Sequence, residues 1–382
     1  MPFNGSLDSS TQIIVVGAGL AGTTAAAVLG QHGWRVLLVD PRPSCPPVFK
    51  AEKIEPDQTE LFRKFGLLEH LLPKTGRVRE IRSYYNGRLF GITPIEQYGM
   101  YYSDMVNALR ARLPASVEFR LGRVVQISNG AELQRLRMAG GEELACRLVV
   151  LACGLSAEIQ AGLGLRRVSI QKNQSVAIGF TIARPEGQPF PFDALTYHPT
   201  NCAAGIDYLS LFPIRQTMRA NLFAFPTATD PWVRQFISQP NQMLDRCLPK
   251  LHRAIGEYRV VGKVEAVRID LYRTEGDLPP GIVLIGDAFQ NSCPSTGKGL
   301  TKILTDVDVM CSDCVPLWFA TPGMGVDKTM SFFGHPRKRA TDAKALQNAV
   351  YHRRASTDRS LRWRIHRIRL HLSMRFGRPA TG

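Results

Sequence analysis

A chain of 382 residues with 44% hydrophobic and 21% charged residues has an ordinary globular composition, which excludes a disordered or fibrous protein. The length exceeds one average core, so a large domain carrying a smaller second domain or insertion is expected. Its net charge of +16 is uneven: from His335 onward thirteen Lys/Arg face only Asp342 and Asp358, a net +11, so any acidic partner concerns that segment.

No basic stretch followed by an apolar one opens the chain, and no run approaches the roughly 20 apolar residues of a bilayer span, so a cytoplasmic location is expected. Eight scattered cysteines fit a reducing compartment better than a disulfide framework. Cys311 and Cys314 form a single C-x-x-C without a second pair or a neighbouring His, and no metal is expected. Nucleic acid is not an expected partner, because no nucleic-acid motif accompanies the basic segment.

In chain order, residues 12–17 (QIIVVG) read as a buried parallel strand, 20–31 as an alanine-rich helix, and 34–39 as a second apolar strand ending at Asp40. A helix is predicted over 57–70. RVREIRSYY and RLFGI then flank Asn86-Gly87, the turn chemistry of a tight hairpin, outside the parallel sheet. A helix over 103–113, with Ser103 as N-cap, and strands near 117–127, 133–138 and 147–152 return to the first domain. Residues 175–226 read as an antiparallel sheet, and 281–288 (GIVLIGDA) as an apolar strand followed by a helix opening near Gly297.

The predicted class is α/β. A discontinuous Rossmann-like domain takes 10–75, 100–170 and 265–320, an antiparallel-sheet substrate domain takes 76–99 and 171–264, and a basic helical segment spans 321–382.

Two constellations carry chemistry. Gly17-Ala18-Gly19-Leu20-Ala21-Gly22 is a G-x-G-x-x-G directly after a strand and opening a helix. Gly17 permits the turn, Gly19 lets a pyrophosphate approach the backbone and Gly22 lets helix and strand touch, while the helix start supplies N–H groups. Asp40 at the next strand end suits a ribose hydroxyl and disfavours a 2′-phosphate, so FAD or NAD is expected rather than NADP. The second constellation is Gly286-Asp287-Ala288 followed by Pro294-Ser295-Thr296-Gly297-Lys298-Gly299-Leu300.

G-D-A followed by P-x-x-G-x-G resembles the flavin signature of the FAD-dependent monooxygenases built like para-hydroxybenzoate hydroxylase, a superfamily that includes flavin-dependent halogenases and geranylgeranyl reductases. The resemblance covers residues 12 to about 310. It implies FAD as cofactor, Asp287 on the ribityl chain and the 294–300 loop beside the isoalloxazine ring. There the helix start and Lys298 would favour negative charge on the reduced flavin. It also places Arg42 near adenine, the Val124 backbone at adenine and Lys53 near the pyrophosphate.

The A-D-G-x-x-S motif of the family's hydroxylases is replaced by Ala152-Cys153-Gly154-Leu155-Ser156, with Gly154 carried over and Cys153 in the place of the acid. Direct reduction by NAD(P)H is therefore in doubt, and a separate flavin reductase is the alternative donor. Cys153 itself reads as a small buried thiol. Tyr102 stands where the family often has an arginine.

The resemblance implies hydroxylation of a small aromatic or lipophilic substrate with O2, through a C4a-hydroperoxide sheltered from water. Tyr197, His198, Tyr208, Ser210, Phe212, Arg215 and Phe225 are candidate pocket residues, with His198, Tyr208 and Pro294 as catalytic candidates. A reductase or dehydrogenase of an isoprenoid or quinone-like substrate is the alternative; a halogenase is disfavoured because W-x-W-x-I-P is absent. Leu361, Ile365, Ile368 and Leu372 share one face of a basic helix, suited either to packing on the FAD domain or to peripheral contact with an anionic membrane.

Overall fold

The structure is a computed structural model and describes residues 11–199, 205–227 and 230–376. Four short apolar runs buried on both faces and a partly exposed edge strand form a five-stranded parallel sheet. Its order is Ile282–Leu284, Leu148–Leu151, Ile13–Val16, Val36–Asp40, Val117–Leu121, and every neighbouring pair is parallel. The Leu20–Gln31 helix crosses one face, with Ala25, Ala26 and Leu29 completely buried.

Local chemistry shifts several expected boundaries. The helix expected over 57–70 is Pro56–Lys64 followed by Leu68–Leu71, because Gly66 turns left-handed (φ +66) and closes the first piece. Ser103 is not an N-cap: the helix runs Tyr102–Arg110, Tyr101 is the cap residue, and Ser103 lies inside the first turn. The strand expected over 117–127 divides in two. Gly122 N–H donates to the Asp40 carbonyl at 2.9 Å, ending the parallel ladder, and Val124–Ser128 joins Gln134–Met138 and Glu143–Cys146 in a separate antiparallel sheet.

The expected antiparallel sheet has eight strands. Their order is Arg259–Glu275, Arg166–Ala183, Thr217–Ala224, Ile206–Ile214, Ala194–His198, Gly76–Tyr85, Arg88–Gly99, Lys53–Ile54. One internal pair, Ala194–His198 with Gly76–Tyr85, is parallel. Strand alternation gives the sheet two unlike faces. Leu209, Leu211, Leu222 and Tyr197 pack with Phe236 and Leu244 of the short helices Trp232–Ser238 and Pro240–Cys247. Tyr208, Ser210, Phe212, Arg219 and Asn221 occupy the opposite, polar face.

The basic C-terminal segment has two parts of different character. Pro336–Thr357 packs on the Gly299–Asp308 helix and on the large sheet, with Lys338, Ala345 and Ala349 buried. Leu361–Phe376 follows it and keeps Leu361, Ile365, Ile368 and Leu372 exposed.

Candidate active site

The turn after the first strand uses its glycines in different ways. Gly17 has φ +101, and a Cβ there would lie 2.6 Å from the Ala152 carbonyl oxygen. A Cβ on Gly22 would lie 1.8 Å from the Gly17 oxygen, so helix and turn are in direct contact. On Gly19 a Cβ would meet only the Tyr102 hydroxyl, at 3.3 Å, making this the open side of the turn.

Leu20 N–H, at the helix start, donates to the Tyr102 hydroxyl at 3.1 Å. Burial pushes that phenol above its usual range, so it keeps its own proton as a donor. Lys50 Nζ lies 5.2 Å from the centre of the Tyr102 ring. An anion at this helix start meets backbone N–H groups, a phenolic proton and an ammonium.

Asp40 is held at the strand end by Ala18 N–H (2.8 Å) and Arg42 N–H (2.9 Å). Its remaining lone pairs suit hydroxyl donors. The buried Arg110 braces this corner by donating to the Ala18 carbonyl at 2.9 Å and to the Arg42 carbonyl at 3.0 Å. The Arg42 side chain is largely exposed, 3.7 Å from Asp40.

The second motif leaves the same end of the parallel sheet, two strands away. Contact with the first is direct, since a Cβ on Gly286 would lie 3.2 Å from Ala21 Cβ. The Asp287 carboxylate makes no hydrogen bond among the described residues, and its charge reaches Tyr102. Behind the turn, Asp306 accepts Gly286 N–H at 2.8 Å. Asp306 also belongs to a buried ring of alternating charge: Lys302–Asp306 3.0 Å, Asp306–Lys338 2.8 Å, Lys338–Asp342 3.1 Å and Asp342–Lys302 3.3 Å.

Pro294–Thr296 forms a short turn that Gly297 closes at φ +65, and the following helix opens at Gly299 with Leu300 buried. Gln58 Nε2 donates to the Gly297 carbonyl at 2.9 Å, and the Tyr208 hydroxyl to the Ser295 carbonyl at 2.8 Å. Lys298 is engaged by Glu55 (3.1 Å) and Asp57 (3.2 Å).

Other expected residues are spread more widely. Lys53 sits in the large sheet with Glu55 and Lys298 as its electrostatic neighbours, whereas the lysine at Tyr102 is Lys50. Val124 is buried against the parallel sheet, and Gly154 follows Cys153 in a left-handed turn. Burial pushes the Cys153 thiol up, away from thiolate chemistry. His198 ends its strand with its ring 5.7 Å from that of Tyr208, and burial lowers its pKa. Two candidate pocket residues lie elsewhere. Tyr197 is in the core under the helices, because alternation turns it away from His198, and Arg215 sits in a turn paired with Asp104 at 2.6 Å.

The donors and acceptors present fit a flavin dinucleotide: a helix start met by a phenol, a braced acid at one strand end and an unengaged acid at another. The FAD binding domain family matches residues 10–312. The chain belongs to this family. Its cofactor is FAD.

Among similar proteins, this FAD-binding chain is 24% identical to 3-amino-4-hydroxybenzoate 2-monooxygenase of Streptomyces cremeus, over 98% of this chain and 97% of that one. Its fold is that of p-nitrophenol 4-monooxygenase from Pseudomonas putida DLL-E4 (TM-score 0.74, 15% identity, 97% of this chain and 94% of that chain). It is likewise that of PqsL from P. aeruginosa in complex with 2-aminobenzoylacetate (TM-score 0.71, 18% identity, 91% and 97%).

Sequence reasoning passed over Arg110, Asp306 and the Glu55–Gln58 pair in this FAD-binding protein. Glu-Pro-x-Gln carries a readable helix-start signal, since Glu55 N–H donates to Gln58 Oε1 at 2.9 Å. Arg110 and Asp306 leave no such mark, because their partners are backbone groups 92 and 20 residues away. Among the described residues no cluster of His, Cys, Asp or Glu is arranged to hold a metal, and no helix is long and apolar enough to cross a membrane.

Proposed function

We propose that this flavoprotein is a monooxygenase that hydroxylates a small aromatic substrate against the polar face of the large sheet. The supporting observation is the bond from Tyr208 to Ser295, which joins that face to the loop beside the expected flavin ring. Named relatives act on 3-amino-4-hydroxybenzoate and p-nitrophenol, both small aromatic compounds. When bound, FAD supplies the redox centre that lets O2 deliver one oxygen atom, with NAD(P)H or a separate flavin reductase as electron source.

The chain's own residues bind, orient and shield. Asp40 takes the adenosine ribose, and Gly19, Leu20 and Tyr102 take the pyrophosphate. Asp287 takes the ribityl chain, while Gly297 and Gly299 bring the loop backbone to the ring. Gln58 and Tyr208 fix that loop. His198, neutral through burial, is the group able to accept a substrate proton. Reconstituted protein supplied with reductant and hydroxybenzoates or nitrophenols under ¹⁸O2 should insert one labelled atom per product. Anaerobic turnover without oxygen insertion would overturn this reading in favour of a reductase of isoprenoid or quinone-like compounds.

We also infer that the Leu361–Phe376 helix rests on an anionic membrane surface. Leu361, Ile365, Ile368 and Leu372 are 70%, 42%, 57% and 45% exposed along one face. At about 100° per residue, Arg362 and Arg369 flank that face on one side and Arg364 on the other. Flotation with phosphatidylserine vesicles should recover the intact protein and lose it on Ile365→Glu with Ile368→Glu. Equal recovery of both forms would end the idea.

A further inference from the structure

The Leu361–Phe376 helix folds back on the end of Pro336–Thr357, and the two are cross-linked. Arg367 donates to the Ala355 and Asp358 carbonyls at 3.2 and 2.7 Å, and the Tyr351 hydroxyl lies 2.9 Å from His366 Nε2. Trp363 packs on both rings, its centroid 5.7 Å from Tyr351 and 5.1 Å from His366. These links fix the helices around a surface cleft of about 630 Å³, the size of a small-molecule site.

The cleft has an apolar end and a charged end. Leu346, Val350 and Arg354 line it at four-residue spacing along one helix, a row of about 12 Å that runs from an apolar side chain to a guanidinium near the bend. Arg362, in the first turn of the next helix, brings a second guanidinium to that end. Among the described residues neither arginine side chain makes an ion pair or a hydrogen bond, and no carboxylate lines the cleft. Asp358 in the bend, whose charge reaches Arg354, is held by Ser360 N–H at 2.9 Å.

The geometry points to this cleft as the seat of one anionic phospholipid, its phosphate on Arg354 and Arg362 and its acyl chain leaving along Val350 and Leu346. Two guanidinium forks from different helices suit the several oxygens of a phosphate ester better than the two of a carboxylate. Free phosphate leaves the apolar row without a partner. The inference rests on the reading of Leu361–Phe376 as a membrane-surface helix and names the lipid chemistry it recognises. At about 100° per residue, Trp363 and His366 turn away from the exposed row of Leu361, Ile365, Ile368 and Leu372, and Arg362 stands between the two sides. The cleft therefore opens beside the face that meets the membrane, at the level of its phosphates.

The test titrates FAD-loaded protein calorimetrically with dihexanoyl phosphatidic acid, kept below its micelle concentration so that no membrane is present. The wild type should bind it at least about tenfold more tightly than dihexanoyl phosphatidylcholine or inorganic phosphate. Arg354→Gln with Arg362→Gln should abolish that preference. Arg364→Gln with Arg369→Gln removes the same charge outside the cleft and should keep it, and unchanged flavin absorbance and melting temperature show that both proteins fold. Ile365→Glu with Ile368→Glu should still bind the monomer while losing vesicle flotation. Three results would overturn the site: a wild type indifferent among the three ligands, both arginine pairs failing alike, or the cleft pair binding as the wild type does. A wild type that floats with phosphatidylserine vesicles yet ignores the monomer loses the site and keeps the membrane reading; one that binds the monomer yet fails to float does the reverse.

Discussion

Tyr208 gives its hydroxyl proton to the carbonyl of Ser295, 2.8 Å away, and so ties the large sheet to the loop that precedes the Gly299–Asp308 helix. Burial first, and Asp207 next, push this phenol far above its ordinary range. Tyr208 is thus a positioning residue in the proposed chemistry. Tyr208→Phe leaves the Ser295 carbonyl without its partner, a loss of about 1–3 kcal/mol. The expected result is a lower melting temperature and slower turnover with the pH–rate profile unchanged in shape. Disappearance of an alkaline limb in the variant would show instead that Tyr208 is the base.

The charge ring predicts an asymmetric cost. Asp306→Leu leaves Lys302 and Lys338 sharing the single Asp342 carboxylate in a dry interior and should destabilise by about 3–5 kcal/mol, read by urea unfolding. Lys338→Met keeps the Lys302–Asp306 pair and should cost less. Lys302 and Lys338 hold the Asp306 carboxyl below its ordinary 3.8, and Lys64 and Arg337 do the same for Asp308. A depressed acid stabilises the fold above its unfolded value and loses that contribution as pH falls below 3.8 toward the folded value. Asp306→Asn should flatten the acid limb of a stability–pH curve.

His198 acts in a different pH window. Burial lowers its pKa from 6.5, opposed by Asp207 and reinforced by His352. Between the folded value and 6.5 the unfolded chain binds the extra proton, so stability is complete above 6.5 and declines as pH drops below it. His198→Gln should remove that mildly acidic component from denaturation midpoints while leaving the acid limb below pH 4 intact. An unchanged slope would mean that this ring is not desolvated.

Neighbouring glycines should respond differently to one methyl group. Gly22→Ala forces a Cβ to within 1.8 Å of the Gly17 oxygen and should destabilise the apoprotein by at least about 1–3 kcal/mol. Gly19→Ala meets only a movable hydroxyl at 3.3 Å, so the apoprotein should melt normally while FAD affinity falls. Melting curves with and without FAD separate the two effects.

With a thiol where the family's hydroxylases carry an acid, NADPH alone should reduce the bound flavin slowly or not at all, and a flavin reductase should restore turnover. Rapid stopped-flow bleaching of the flavin by NADPH would refute this.

The backbone of the site was readable wherever function imposes a local pattern. Gly17, Gly22 and Gly286 stand where steric contact forbids a side chain, and the apolar strands leading to them are contiguous in sequence. Side-chain partners were less legible. Lys53 and Lys50 lie three residues apart, but Lys53 belongs to a two-residue strand and Lys50 to the loop before it, a division that no periodicity in so short a run reveals. Tyr197 was expected beside His198 in the pocket, although adjacent strand residues face opposite ways. Asp306 and Arg110 serve distant backbone groups, so their roles appear only once the chain has folded.

Lys338 and Asp342 complete the setting of Asp306, which holds Gly286 in its left-handed turn. Both glycine motifs are translated well before the Pro336–Thr357 helix that supplies those two residues. A chain halted near residue 335 would carry both glycine motifs with Asp306 and Lys302, but only half of the charge ring. The buried charge behind the second turn is therefore balanced in full only by a helix remote from both signatures.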